Sequence, residues 1–170
     1  GSPFRLYDSP FTRGEQSIVI NGLIWMGNYE EMAARVEEKV AAGFSCIKLK
    51  IGAIDYAQER RLIEHLRSRF SPAQLQIRLD ANGAFSPQLA KDRLADLAPF
   101  SIHSIEQPIA AGGWEAMADL CRHSPIPIAL DEELIGHNNT AARTRLLDAL
   151  HPQYLVLKPS LHGGFSGAEE

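Results

Sequence analysis

The sequence predicts an α/β fold, a TIM-type (β/α) barrel in which parallel strands alternate with helices. Three observations predict it. Short apolar runs alternate six times with amphipathic stretches of helical period. The units recur at about one βα length, and strands separated by helices require right-handed crossovers and a parallel sheet. A charged residue closes each of strands two to six, which suits a barrel with its chemistry at one rim. Neither GxGxxG nor GxxxxGK[ST] occurs, so no phosphate-cradling fingerprint supports a nucleotide-binding sheet.

In order along the chain, Ile18-Val19-Ile20 and Leu23-Ile24-Trp25 read as a first strand. From Asn28 the period changes: Met32, Ala33, Val36 and Val40 sit at helical spacing, and Gly43 falls where a C-terminal glycine cap belongs. Cys46 to Ile51 is a second strand, followed by a helix with Leu62, Ile63, Leu66 and Phe70 on one face. Leu75 to Leu79 is the third strand. Ser86-Pro87 is an N-cap followed by proline at the first helical position, and Ala90, Leu94 and Leu97 continue that helix. Ser101 to Ile105 reads as strand four, and Trp114, Met117, Ala118 and Cys121 as helix four. Pro127 to Leu130 forms strand five. Leu146, Leu147 and Leu150 close helix five at His151-Pro152, and Tyr154 to Leu157 forms strand six.

The composition is that of a globular chain: 170 residues, 45% apolar and 22% charged, with 17 Lys+Arg against 21 Asp+Glu for a net charge of −4. That acidity argues against a nucleic-acid partner, whose phosphates are met by Lys and Arg. No apolar run approaches the ~20 residues of a membrane helix, and Gly1-Ser2-Pro3-Phe4-Arg5 does not read as a signal peptide. Cys46 and Cys121 form no CxxC pair, so neither a disulfide framework nor a zinc knuckle is expected; both read as small core residues in the cytoplasm.

The chemistry is expected at the strand ends. Strand two closes on Lys48-Leu49-Lys50, strand three on Asp80, strand four on Glu106, strand five on Asp131 and strand six on Lys158, with spacings from Lys50 of 30, 26, 25 and 27 residues. All then lie at the C-terminal ends of successive parallel strands. Three converging carboxylates repel one another and raise each other's pKa unless a cation intervenes. Oxygen donors without His or Cys favour Mg²⁺. A lysine beside that cation has its pKa lowered and becomes usable as a base, which suits removal of a proton next to a carboxylate.

Each residue also has a plainer explanation. A charge after a strand is usually solvated, Lys48 and Lys50 could face outward from an edge strand, and Asp80 and Asp131 could cap helices. Five such charges in register outweigh these separate explanations. His65 reads as surface and His103 as packing. His162 is flagged only for its nearness to Lys158, and Gly164-Phe165-Ser166-Gly167 is not a nucleophile elbow.

Lys48, Lys50, Asp80, Glu106, Asp131 and Lys158 together resemble the enolase superfamily, specifically its muconate-lactonising subgroup, from about Asn21 to Gly164. Within it, Ile20 to Ile24 and Leu157 to Gly164 look most like the o-succinylbenzoate synthases. The resemblance implies a Mg²⁺-dependent dehydratase of menaquinone biosynthesis acting on a small-molecule carboxylate. Its substrate would be 2-succinyl-6-hydroxy-2,4-cyclohexadiene-1-carboxylate, and its product 2-succinylbenzoate. It also implies Asp80, Glu106 and Asp131 as metal ligands, Lys50 as base, Lys158 as the opposing lysine, Lys48 as support, and Asn82 near the substrate carboxylate. Three other readings stay open: a racemase or epimerase of N-acylamino acids or dipeptides using the same site, a Schiff-base aldolase on Lys158, and an inactive piece. Eight units of about 27 residues need about 216, and such barrels run near 250. The expectation is therefore a partial barrel domain over residues 1–170, lacking the last strands and an N-terminal capping domain, and inactive alone.

Overall fold

In the computed structural model the structure describes residues 7–169; the first-strand reading falls inside that range, whereas Gly1 to Arg5 lie outside it. Six strands form one sheet in the order of the chain: β1 (Gly22–Ile24), β2 (Cys46–Lys50), β3 (Gln76–Asp80), β4 (Ser104–Glu106), β5 (Ile128–Leu130) and β6 (Tyr154–Leu155). Every neighbouring pair is parallel. The helices between them are α1 (Tyr29–Ala41), α2 (Tyr56–Arg69), α3 (Pro87–Leu97), α4 (Trp114–His123) and α5 (Thr140–Leu150), with α6 (Gly164–Glu169) after β6.

Local signals explain the helix starts. Asn28 accepts a hydrogen bond from the Glu31 N–H while the Glu31 side chain returns to the Asn28 N–H, a capping box. Asp55, Ser86 and Asn139 cap α2, α3 and α5 with their side chains. Gly43 takes φ +87°, the left-handed geometry that ends α1.

The strands alternate strictly, and the alternation separates core from site. Ile47, Leu49, Ile77, Leu79, Ile105, Ile128 and Leu130 face the helices and are almost wholly buried. Met32, Val36, Leu62, Leu66, Leu94, Leu97, Met117 and Leu146 complete that layer from the helices. The other face carries Lys48, Lys50, Arg78, Asp80 and Glu106. A period of two therefore places the apolar set outward and the charged set inward.

Several strand boundaries differ from expectation. Ile18, Val19 and Ile20 lie outside β1 and are 57%, 84% and 65% exposed. Gly22 pairs with Ile47, so any residue before Asn21 would run past the start of β2 at Cys46 and find no ladder partner. Strand four begins at Ser104 because Ser101 adopts φ 50° after the turn Ala98–Phe100. Regular pairing of β6 stops at Leu155, though the Val156 N–H still donates to the Leu130 carbonyl at 2.8 Å. Among the described residues no helix is long and apolar enough to cross a membrane.

Candidate active site

Parallel register brings the strand-end charges side by side. Lys50 stands opposite Asp80, and Asp80 opposite Glu106. Asp80, Glu106 and Asp131 are all buried, at 0%, 6% and 1% exposure. The Lys48 ammonium bridges two of them, donating to Glu106 Oε2 at 2.6 Å and lying 2.9 Å from Asp80 Oδ2. Lys50 Nζ donates to the same Asp80 oxygen at 2.6 Å and to Asn82 Oδ1 at 2.7 Å. On the far side, Lys158 Nζ donates to Asp131 Oδ2. A cleft of about 330 Å³ over this face is lined by Lys48, Arg78, Ser104, Glu106 and Tyr154. A larger depression near Lys91 and Trp114 lies on the helical exterior, away from these charges.

Charge and burial compete here. Burial pushes the Glu106 carboxyl up to about 7; Lys48 opposes that shift and the neighbouring Asp80 adds to it. Burial works on Asp80 in the same direction, but the two lysines prevail and hold it below its ordinary value. Burial alone would lower Lys48, yet its bonds to Asp80 and Glu106 leave it above the usual lysine range. The cause of that rise is the pairing itself: beside two carboxylates the ammonium form is favoured. The lowering expected of a lysine applies beside a cation.

Each candidate can be placed. Lys48, Lys50, Asp80, Asn82 and Glu106 form one bonded cluster, and Asp131 and Lys158 form a second at the end of β5 and β6. Among the described residues no three carboxylate, imidazole or thiolate groups are gathered on one point for a metal; Lys48 stands between two of the carboxylates instead. The donor chemistry nonetheless fits a hard cation. The set is all oxygen, and Asp131 Oδ1 is buried without a hydrogen-bond partner among the described residues. Asp131 starts the turn Glu132–Leu134 with no side-chain cap bond, so it does not serve as a cap.

Sequence reasoning gave no role to three residues of the site. Glu132 Oε1 accepts from Asn82 Nδ2 at 2.9 Å, which orients that amide with its oxygen toward Lys50. Gln107 and Glu133 are buried and bonded to each other at 3.3 Å. Their one sequence signal was adjacency, in the runs Glu106-Gln107-Pro108 and Asp131-Glu132-Glu133. His162 is buried and accepts the Lys158 backbone N–H on Nδ1 at 3.1 Å. His103 stacks on Tyr154 with ring centroids 4.8 Å apart, and Cys46 and Cys121 are buried thiols.

Comparison with known proteins bears on this arrangement directly. The family model described as enolase C-terminal domain-like matches residues 31–170. The chain belongs to the enolase superfamily. Within that superfamily it is 56% identical, over 94% of its length, to o-succinylbenzoate synthase of Desulfotalea psychrophila, of which it covers 43%. The crystal structure of MenC from the same organism superposes with a TM-score of 0.86 at 53% identity, covering 96% of this chain and 45% of that one. The L-Ala-D/L-Glu epimerase of Bacillus subtilis is 30% identical over 83% of the chain and 38% of the epimerase. This enolase-superfamily chain thus spans less than half the length of the relatives it matches.

Proposed function

We propose that this chain carries the active-site strands of a Mg²⁺-dependent o-succinylbenzoate synthase, a carbon–oxygen lyase. The observation that carries the reading is a strand-end set of three carboxylates flanked by lysines, in a chain far closer to a synthase than to the epimerases. The substrate is 2-succinyl-6-hydroxy-2,4-cyclohexadiene-1-carboxylate and the product 2-succinylbenzoate. Asp80, Glu106 and Asp131 would hold Mg²⁺. A dipeptide epimerase of Cytophaga hutchinsonii, 25% identical, has been solved with Mg and a dipeptide, which supports the same metal here. When bound, Mg²⁺ supplies positive charge that stabilises an enediolate and disfavours a protonated lysine nearby.

The residues divide the remaining work. Lys50, as the free amine, takes the proton on the carbon bearing the carboxylate, and the electron pair passes into the carboxylate as an enediolate. The pair then returns to form the ring double bond as the C6 hydroxyl leaves, and the proton held by Lys50 converts it to water. The product ring is aromatic, so the elimination is downhill and the carbanion is the hard step. Lys158, on the opposite side, stabilises the enediolate by its charge. Lys48 keeps Asp80 and Glu106 paired and supports Lys50, while Asn82 orients Lys50 and lies within reach of the substrate carboxylate.

The same proposal makes residues 1–170 part of a barrel domain whose last strands and capping domain belong to a longer polypeptide. The edge strands β1 and β6 each lack a second neighbour among the described residues, and Trp25 beside β1 and Tyr154 in β6 are 58% and 43% exposed. A small-molecule carboxylate is its partner and the cytoplasm its compartment. Incubation of the full-length protein in D₂O with Mg²⁺ tests the reading. Conversion of the cyclohexadiene to 2-succinylbenzoate supports it. Deuteration with inversion of a dipeptide or N-acylamino acid, without dehydration, contradicts it and favours the epimerase.

A further inference from the structure

Gln107 directly follows Glu106 and is fully buried. No step above uses it. Its φ is 40°, a left-handed value that a residue with a side chain adopts only when its surroundings enforce it. What surrounds it is a set of bonds to the ends of β5 and β3. Its N–H donates to the Ala129 carbonyl of β5 at 2.9 Å, and its carbonyl accepts from Gly83, beyond β3, at 2.7 Å. Gly83 must be glycine: it has φ +75°, and a Cβ there would stand 3.0 Å from the Ala110 Cα.

The carboxamide is fully engaged as well. Oε1 accepts from the backbone N–H of Asp131 at 3.2 Å and of Glu133 at 3.1 Å. Nε2 donates to the Ile109 carbonyl at 3.0 Å and to Glu133 Oε2 at 3.3 Å. Those bonds use both lone pairs and both protons of the amide. Glu133 in turn accepts the Gly112 N–H on Oε1 at 2.8 Å. Packing alone would be served by any apolar residue of this size, so a saturated amide in a dry site implies a demand for defined geometry. The element held is the backbone of Asp131, whose Oδ1 is a buried acceptor without a partner among the described residues.

We infer that Gln107 is a positioning residue for the metal carboxylates, locking the Asp131 backbone to the strand that carries Glu106, with Glu133 as its buried anchor. This rests on the functional reading above. Such outer contacts usually govern metal affinity, because they orient the ligands without touching the ion.

The test compares Mg²⁺ binding by calorimetry, circular dichroism and turnover of the cyclohexadiene in the full-length protein, for the wild type, Gln107→Met and Glu133→Gln. Gln107→Met keeps the volume and removes the bonds to Asp131 and Glu133. It is expected to fold, to bind Mg²⁺ about 10–100-fold more weakly, and to regain most of its turnover at saturating Mg²⁺. Glu133→Gln, which loses one bond of the network, is expected to weaken Mg²⁺ binding in the same direction by less. A folded Gln107→Met with wild-type Mg²⁺ affinity overturns the inference, even if its melting temperature falls. Should Gln107→Met fail to fold, wild-type Mg²⁺ affinity in Glu133→Gln overturns it. Failure of the functional reading looks different: a wild type that binds Mg²⁺ but leaves the cyclohexadiene unchanged overturns the substrate, while the affinity comparison still decides on Gln107.

Discussion

The two ends of the sheet are both rich in polar contacts and follow opposite rules. At the N-terminal end one guanidinium does the joining. Arg67, in the last turn of α2, donates to the Phe100 carbonyl at 2.6 Å, the Leu75 carbonyl at 2.7 Å, the Ser101 carbonyl at 3.2 Å and the Phe70 carbonyl at 3.3 Å. It satisfies carbonyl groups that would otherwise end two connections unpaired, and burial lowers its pKa from the ordinary arginine value. At the C-terminal end three buried carboxylates and three lysines form two bonded groups, Glu106 is pushed up to about 7, and Asp131 Oδ1 has no hydrogen-bond partner among the described residues. The carbonyl groups at the first end are hydrogen-bonded, whereas a buried carboxylate oxygen at the second has no partner among the described residues. The comparison teaches that burial of charge by itself does not mark a site; incomplete satisfaction of buried charge does.

Substitutions at the two ends should therefore separate stability from activity. The largest effect is expected at the C-terminal end: Asp131→Ala in the full-length protein should lower turnover by about 10³-fold while changing the melting temperature little, as steady-state rates and calorimetry would record. A variant that kept its rate would break the contrast. At the N-terminal end Arg67→Met should cost about 2 kcal/mol in denaturant unfolding, because several carbonyl groups lose their donor at once. Its kcat and KM should stay within about twofold of wild type, since residue and substrate sit at opposite ends of the strands.

The smallest effect concerns pH. Burial, with a further push from Arg78, holds His103 below its ordinary value. The folded protein then binds fewer protons there than the unfolded chain, so stability falls as pH drops below about 6.5. His103→Asn should flatten that part of the stability profile and leave the region above pH 7 unchanged. An unaltered slope between pH 7 and pH 5.5 would show that His103 does not titrate in this way.

Much of this was legible in the sequence because the barrel's two periods are strong. Helical spacing predicts α1 through α5, and the βα repeat aligns Lys50, Asp80, Glu106, Asp131 and Lys158. The helix cap Ser86 is a local signal of the same kind. The misses have a common cause. Ile18 to Ile20 has β-forming composition, yet strand membership depends on a neighbour, and the register with β2 leaves none there. Ser101 has strand-like neighbours in sequence, although the turn before it fixes a left-handed backbone. Gln107, Glu132 and Glu133 act through contacts between strands that are 24 to 50 residues apart, which no local pattern encodes.

The central claim is that Lys50 at the C-terminal end of β2 is the base of a Mg²⁺-dependent dehydration. The most direct measurement is the ultraviolet change that accompanies aromatisation of the cyclohexadiene, followed in full-length wild type and in Lys50→Ala, each with Mg²⁺ and with EDTA. The account predicts a change in wild type that EDTA abolishes, and a Lys50→Ala rate lower by about 10³-fold or more with an unchanged circular dichroism spectrum. A Lys50→Ala protein as fast as wild type would contradict it.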